Sequence, residues 1–111
     1  MEMAARVVVA GATGNVGSAA VHTLSQVGAE VKALTRSNTG EKCAPLKALD
    51  RVELVECDIS DQATLSGVFE GVAAAFLTCA NFRGQVAAET AFIDAAVAQG
   101  CPCLVKLGTV R

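Results

Sequence analysis

Histidine, tyrosine, proline and clustered charge are scarce or missing in this 111-residue sequence, and each shortage removes a class of function. His22 is the one histidine, and it has no partner histidines near the cysteines, so the usual nitrogen–sulfur ligand sets for a metal are not assembled. With two prolines, ten glycines and only 18% charged residues, the chain lacks the composition of a disordered or fibrous protein. The formal charge is −2 with no block of one sign, so nothing draws a nucleic-acid duplex or an acidic membrane surface, and neither is expected as a direct partner. No apolar run approaches the roughly 20 residues of a membrane span. Met1-Glu2-Met3 does not open a signal peptide, and the expected location is cytoplasmic.

The five cysteines, Cys43, Cys57, Cys79, Cys101 and Cys103, are odd in number and scattered. Cys101-Pro102-Cys103 has one intervening residue where a redox or zinc motif normally has two. The expectation is that most are small, reduced, buried hydrophobes. If the chain is extended there, Cys101 and Cys103 point to the same face.

What the sequence does have is apolar substance, 52% of its residues, enough for one core and one domain over residues 1–111. Arg6-Val7-Val8-Val9-Ala10 is a β-branched run without polar alternation, the pattern of a central parallel strand covered on both faces. Beyond a glycine-spaced turn, Val16, Ala19, Ala20, Leu24 and Val27 recur at helical spacing, and Gly28 stops the helix. A second strand is expected over 30–34, a polar loop over 35–40, a weak helix over 41–49 interrupted at Pro45, and a third strand over 52–57. Asp61 can cap a helix whose Leu65, Val68 and Phe69 share a face and which Gly71 closes. A fourth strand over 72–78, a helix over 85–99 presenting Phe92, Ala95 and Ala96 with Ile93 and Val97 beside them, and a fifth strand over 102–107 complete the pattern. Strand and helix alternate with short connections, so right-handed crossovers predict an α/β, Rossmann-like, doubly wound parallel sheet of five strands, order 3-2-1-4-5, with helices on both faces.

Three glycines stand where the first strand hands over to the first helix. Gly11 permits the tight turn, Gly14 lets backbone approach a pyrophosphate, and Gly17 allows close packing of helix on sheet. The N–H groups around Asn15 and Val16, at the positive end of the helix dipole, form an anion site to which Thr13 can add a hydroxyl. Glycines can also serve a tight turn and nothing more. The strand before, the amphipathic helix after and a second strand on schedule favour dinucleotide binding.

The spacing is G-x-x-G-x-x-G, and Gly-Ala-Thr-Gly-Asn-Val-Gly at 11–17, followed by Thr35-Arg36, resembles the NmrA-like branch of the atypical short-chain dehydrogenase/reductase superfamily. Val55-Glu56-Cys57-Asp58-Ile59-Ser60-Asp61 and Phe92-Ile93-Asp94-Ala95-Ala96-Val97-Ala98-Gln99-Gly100 are similar to the same family, so the resemblance covers essentially the whole chain. It implies an NAD(P)-binding domain, truncated relative to full-length members, which continue with a further strand and a mostly helical substrate domain.

At the end of the second strand an acidic residue would bind the ribose 2′-OH of NAD and repel a 2′-phosphate. Thr35-Arg36 stand there instead, and Glu30 lies at the wrong end of the strand. A guanidinium at Arg36 can pair with the 2′-phosphate and stack on adenine, with Ser37 and Asn38 as weaker contacts, so NADP(H) is expected in preference to NAD(H). The competing reading of Arg36 is a solvated loop arginine. The resemblance implies that Asp58 and Ile59 hold the adenine, unless Asp58 only starts a turn, and that Thr78, Cys79 and Ala80 line the adenosine and ribose channel.

No catalytic residue is assigned. Carbonyl reductases of the wider superfamily often use a Tyr and Lys pair beyond the fifth strand, and this sequence has no tyrosine. The family often carries serine after the fifth strand, whereas Gly108-Thr109 follow Leu107 here. Lys106 is read as a packed or solvated stem and His22 as a surface residue. Two functions stand open: an NADP(H)-binding sensor or partner-binding module, and the cofactor half of an NADPH-dependent oxidoreductase of quinone or carbonyl reductase type, truncated or completed by another chain. A degenerate fold that binds nothing is the third reading. The apolar strand at 102–107 is expected as an exposed edge, which predicts a homo-oligomer, a dimer through that edge or the helix around Phe92.

Overall fold

The computed structural model describes residues 5–12, 15–35, 44–57, 62–78 and 85–107. Nine elements follow in order: β1 (Arg6–Ala10), α1 (Asn15–Gln26), β2 (Glu30–Thr35), α2 (Ala44–Lys47), β3 (Val52–Glu56), a 3-10 turn (Gln62–Leu65), β4 (Ala74–Thr78), α3 (Gln85–Ala98) and β5 (Leu104–Leu107). The strands form one parallel sheet in the order β3-β2-β1-β4-β5. β1 is central, its Val7 to Ala10 at most 5% exposed, which is why it reads as an uninterrupted apolar run.

Alternation along the strands divides the interior into two cores. Val8, Ala10, Leu34, Ala75 and Leu77 pack with Leu65, Val68 and Phe69 and with Phe92, Ala95 and Ala96 of α3. Val7, Val9, Val31 and Ala33 face the other way, against Val21 of α1 and Leu46 of α2. Phe69 and Phe92 meet edge to face, ring centroids 5.1 Å apart at 75°. Among the described residues no helix is long and apolar enough to cross a membrane.

Several elements depart from the sequence reading. In α1 the inward residues are Gly17 and Val21, with Leu24 half-buried, while Ala19 is exposed and Val27 is 73% exposed. The contact of Gly17 with the turn before it sets the helix rotation, and at 100° per residue positions 17, 21 and 24 then face the sheet while 19 and 27 turn away. The same rotation leaves His22 exposed, as expected. Likewise Val97 in α3 is 70% exposed, whereas Phe92, Ala95 and Ala96 are buried and Ile93 packs against them. α2 is one turn long, and Pro45 is accommodated in it because the first turn of a helix needs no amide donor.

The helix expected beyond Asp61 is replaced by a 3-10 turn and a run of tight turns, with Val68 N–H on Leu65 O, Glu70 N–H on Gly67 O and Val72 N–H on Phe69 O. Gly67 and Gly71 have φ of +77° and +71°, which break any right-handed helix. The side chain of Gln99, just past α3, takes over the missing helical bonds. Its Oε1 accepts from Phe69 N–H at 2.9 Å and its Nε2 donates to Leu65 O at 2.8 Å. Leu65, Val68 and Phe69 therefore reach the core without a helix to carry them.

β4 starts at Ala74 and β5 at Leu104, each two residues later than expected. Because β5 begins past them, the cysteines ahead of it do not share one face: Cys101 packs half-buried against the core and Cys103 is exposed, with the Cys101 thiol donating to the Cys103 carbonyl at 3.3 Å. Cys57 is buried and in no disulfide, as expected, and Cys43 and Cys79 lie outside the described residues.

Candidate cofactor site

β1 ends in buried Ala10, and the chain leaves the sheet at Gly11 with φ +73°, a left-handed conformation that a side chain disfavours. Ala12 is fully buried, and α1 begins at Asn15. Gly17 sits against this turn so closely that a β-carbon on it would lie 2.7 Å from the Gly11 carbonyl carbon, 3.1 Å from the Ala12 α-carbon, and closer still to the Gly11 carbonyl oxygen. Two glycines thus hold the start of α1 against the carboxyl end of β1. The first amides of an α-helix have no acceptor within the helix, and its dipole is positive at that end, so the seat favours an anion.

The neighbouring strands end on the same edge. Leu34 lies beside Ala10, so Thr35 follows level with the glycine turn, and Leu77 pairs with Ala10 from the other side. Thr35 is paired with Glu56, and its carbonyl accepts from Cys57 N–H at 2.7 Å, which brings the end of β3 alongside. Thr78 lies opposite Leu107. Ends of β1, β2, β3 and β4 therefore lie side by side on one edge, the edge at which an open parallel sheet takes its ligands.

Of the residues singled out in the sequence, the structure brings Gly11 and Gly17 into contact and sets the backbone of Asn15, Val16 and Thr78 on this edge. Thr13, Gly14, Arg36, Asp58, Ile59, Cys79 and Ala80 lie outside the described residues, as do Ser37 and Asn38. Arg36 follows Thr35 directly in the chain, and Asp58 follows Cys57. Glu30 is at the far edge, in an ion pair with Arg6 at 3.3 Å, both about half exposed. That is the end of β2 at which no ribose contact was expected.

Thr35 was not chosen as a ligand from the sequence, and the structure singles it out. It is 6% exposed, and its hydroxyl oxygen is buried with no hydrogen-bond partner among the described residues. An unpaired buried hydroxyl costs about 1–3 kcal/mol, and valine has nearly the same shape without that penalty. The one signal in the sequence was its place at the end of the second strand; burial is what makes it informative. Glu89 of α3, also unremarked in the sequence, is buried at 6% exposure and takes part in a polar contact.

At the opposite, amino-terminal edge of the sheet lies an open groove of about 470 Å³, lined by Arg6, Glu30, Lys32, Arg51 and Glu53. Its charges are mixed and partly engaged: Arg6 with Glu30, and Lys32 donating to Val68 O at 3.2 Å. It offers no concentrated charge and lies away from the carboxyl ends of the strands.

Residues 3–105 match the model of the NmrA-like family. The chain is 40% identical over 82 residues to a dTDP-4-dehydro-6-deoxy-D-allose reductase of Streptomyces bikiniensis, a stretch covering 71% of this chain and 25% of that protein. It thus spans about a quarter of the length of the curated relatives it matches. Its fold is similar to that of NmrA, a negative transcriptional regulator, solved in complex with NADP (TM-score 0.81, 23% identity, 95% of this chain and 33% of that one). It is similar also to NmrA solved in complex with NAD (TM-score 0.85, 23% identity, the same shares of each chain).

Proposed function

The chain belongs to the NmrA-like family, and from that membership we propose that it is an NADP(H)-binding Rossmann module. The observation that carries the proposal is the approach of Gly17 to Gly11, which seats the start of α1 on the end of β1 and leaves no room for a side chain. That arrangement fits a pyrophosphate, which needs an exposed helix start and backbone it can approach closely. Gly11, Thr13, Gly14, Asn15, Val16 and Gly17 would hold the pyrophosphate, and Asp58 and Ile59 the adenine. Thr78, Cys79 and Ala80 would line the channel beyond, and Arg36 would pair with the 2′-phosphate. The NADP and NAD complexes of NmrA support binding of a nicotinamide dinucleotide by this fold.

Two roles for such a module are supported by different relatives. The similarity to a sugar-nucleotide reductase favours the cofactor half of an NAD(P)H-dependent oxidoreductase. Bound NADPH supplies a hydride equivalent, and the part of this chain is to hold and orient it. The similarity in fold to a transcriptional regulator favours a sensor whose partner binding follows the cofactor. Oxidation of NADPH by the 111-residue chain with quinones or aldehydes would overturn the sensor role. In either role we place the protein in the cytoplasm, and detection in a membrane or secreted fraction would refute that placement.

Replacing Arg36 tests the cofactor preference. Arg36→Ala is expected to weaken NADPH binding at least ten-fold while leaving NADH binding nearly unchanged, as loss of a charge-assisted phosphate contact would do. Equal losses for both cofactors would refute the assigned role.

A further inference from the structure

At the amino-terminal edge of the sheet, away from the glycine turn, we propose that Cys101 and Cys103 are a modification site: a dithiol that a low-molecular-weight disulfide oxidises reversibly to an intramolecular bridge. The link from α3 to β5 is held at both ends. Cys101 N–H donates to Ala96 O at the end of α3, and Cys103 O accepts from Ala75 N–H of β4, each at 2.9 Å. Between them the chain bends at Pro102, whose ring fixes its own φ. Two residues of extended chain span about 7 Å, and the bend shortens this toward the about 4.4–6.8 Å that separates the α-carbons of bridged cysteines. The Cys101 thiol already lies on Cys103, donating to its carbonyl at 3.3 Å. Closing the bridge turns that thiol from the carbonyl to the side chain of the same residue.

Exposure assigns the two sulfurs different parts. Cys103 is exposed and Cys101 is half-buried against the core, so an oxidant in solution meets Cys103 first. The Cys103 thiolate attacks one sulfur of the small disulfide, forming a mixed disulfide and expelling one thiolate. The Cys101 thiolate then attacks the Cys103 sulfur, and the second small thiol leaves. The chain gives up two electrons and two protons, and the small disulfide becomes two thiols. A bridge spanning three residues closes a small, strained ring, and strained disulfides are the readily reduced ones. Such a pair suits transient oxidation, not permanent stapling.

The tryptic peptide 84–106 contains Cys101 and Cys103 and no other cysteine, so it reports on this pair alone. The 111-residue chain is incubated with oxidised glutathione, alkylated, digested and weighed. The wild-type peptide is expected to be lighter by about 2 Da, the two lost hydrogens, and to take up alkylating agent only after reduction. Cys101→Ser is expected to stop with one glutathione on Cys103. Cys103→Ser is expected to react at Cys101 at least ten-fold more slowly than wild type reacts at Cys103, because that sulfur is half-buried. Two free thiols in the treated wild-type peptide would overturn the inference. A lasting glutathione adduct on wild type, or a bridge from Cys103 to a second chain on a non-reducing gel, would do the same. Equally ready closure in urea would also overturn it, since the folded link would then contribute nothing. None of these outcomes depends on binding of a dinucleotide.

Discussion

The carbonyl of Gly11 occupies the space that a β-carbon on Gly17 would need: its carbon atom would lie 2.7 Å away and its oxygen closer still. Both groups are backbone, so neither can swing aside as a long side chain could. The turn leaving β1 and the first turn of α1 are therefore locked together, and the rotation of α1 follows from that contact. Val21 is driven fully into the core, and Val27 is left outside.

Gly17→Ala should force this contact apart. Overpacking against rigid backbone costs about 1–3 kcal/mol, and for a domain of this size each kcal/mol lowers the melting temperature by about 4–8 °C. Thermal denaturation followed by circular dichroism should show a clear drop, accompanied by loss of NADPH affinity as the helix start is displaced. A Gly17→Ala chain that melts like wild type would show that the approach of helix to turn is looser than described.

The sheet order could be read from the sequence because its carriers are local. Val7 to Val9 form an unbroken apolar run, and the glycines that follow α1 and α3 end those helices where the pattern says they should. The face of α1 was less legible, since alanine and valine are compatible with either side and only the Gly11–Gly17 contact decides. Residues 62–71 carry a helical apolar pattern, yet Gly67 turns left-handed and Gln99, 30 residues away from Phe69, supplies the bonds a helix would have made. Such a long-range clamp has no local signature. At the site, the glycines announced themselves through spacing, whereas Thr35 became visible only when its hydroxyl proved buried and without a partner among the described residues.

Self-association is expected through the outer edge of β5. Among the described residues β5 pairs with β4 alone, and an apolar strand edge tends to recruit another chain. The helix around Phe92 is a poorer candidate than its composition suggested, because Phe92 is fully buried against Phe69 and offers no surface. Light scattering at about tens of micromolar, a range in which exposed edges associate, should give the mass of a dimer. The mass of a single chain would refute the proposed edge contact.

The central claim is that the Gly11–Gly17 turn is an NADP(H) site, and calorimetric titration of the unmodified 111-residue chain tests it most directly. Saturable binding of one NADPH per chain is expected, with NADH bound several-fold more weakly for want of the phosphate that Arg36 would hold. No saturable heat with either dinucleotide would contradict the account at its root.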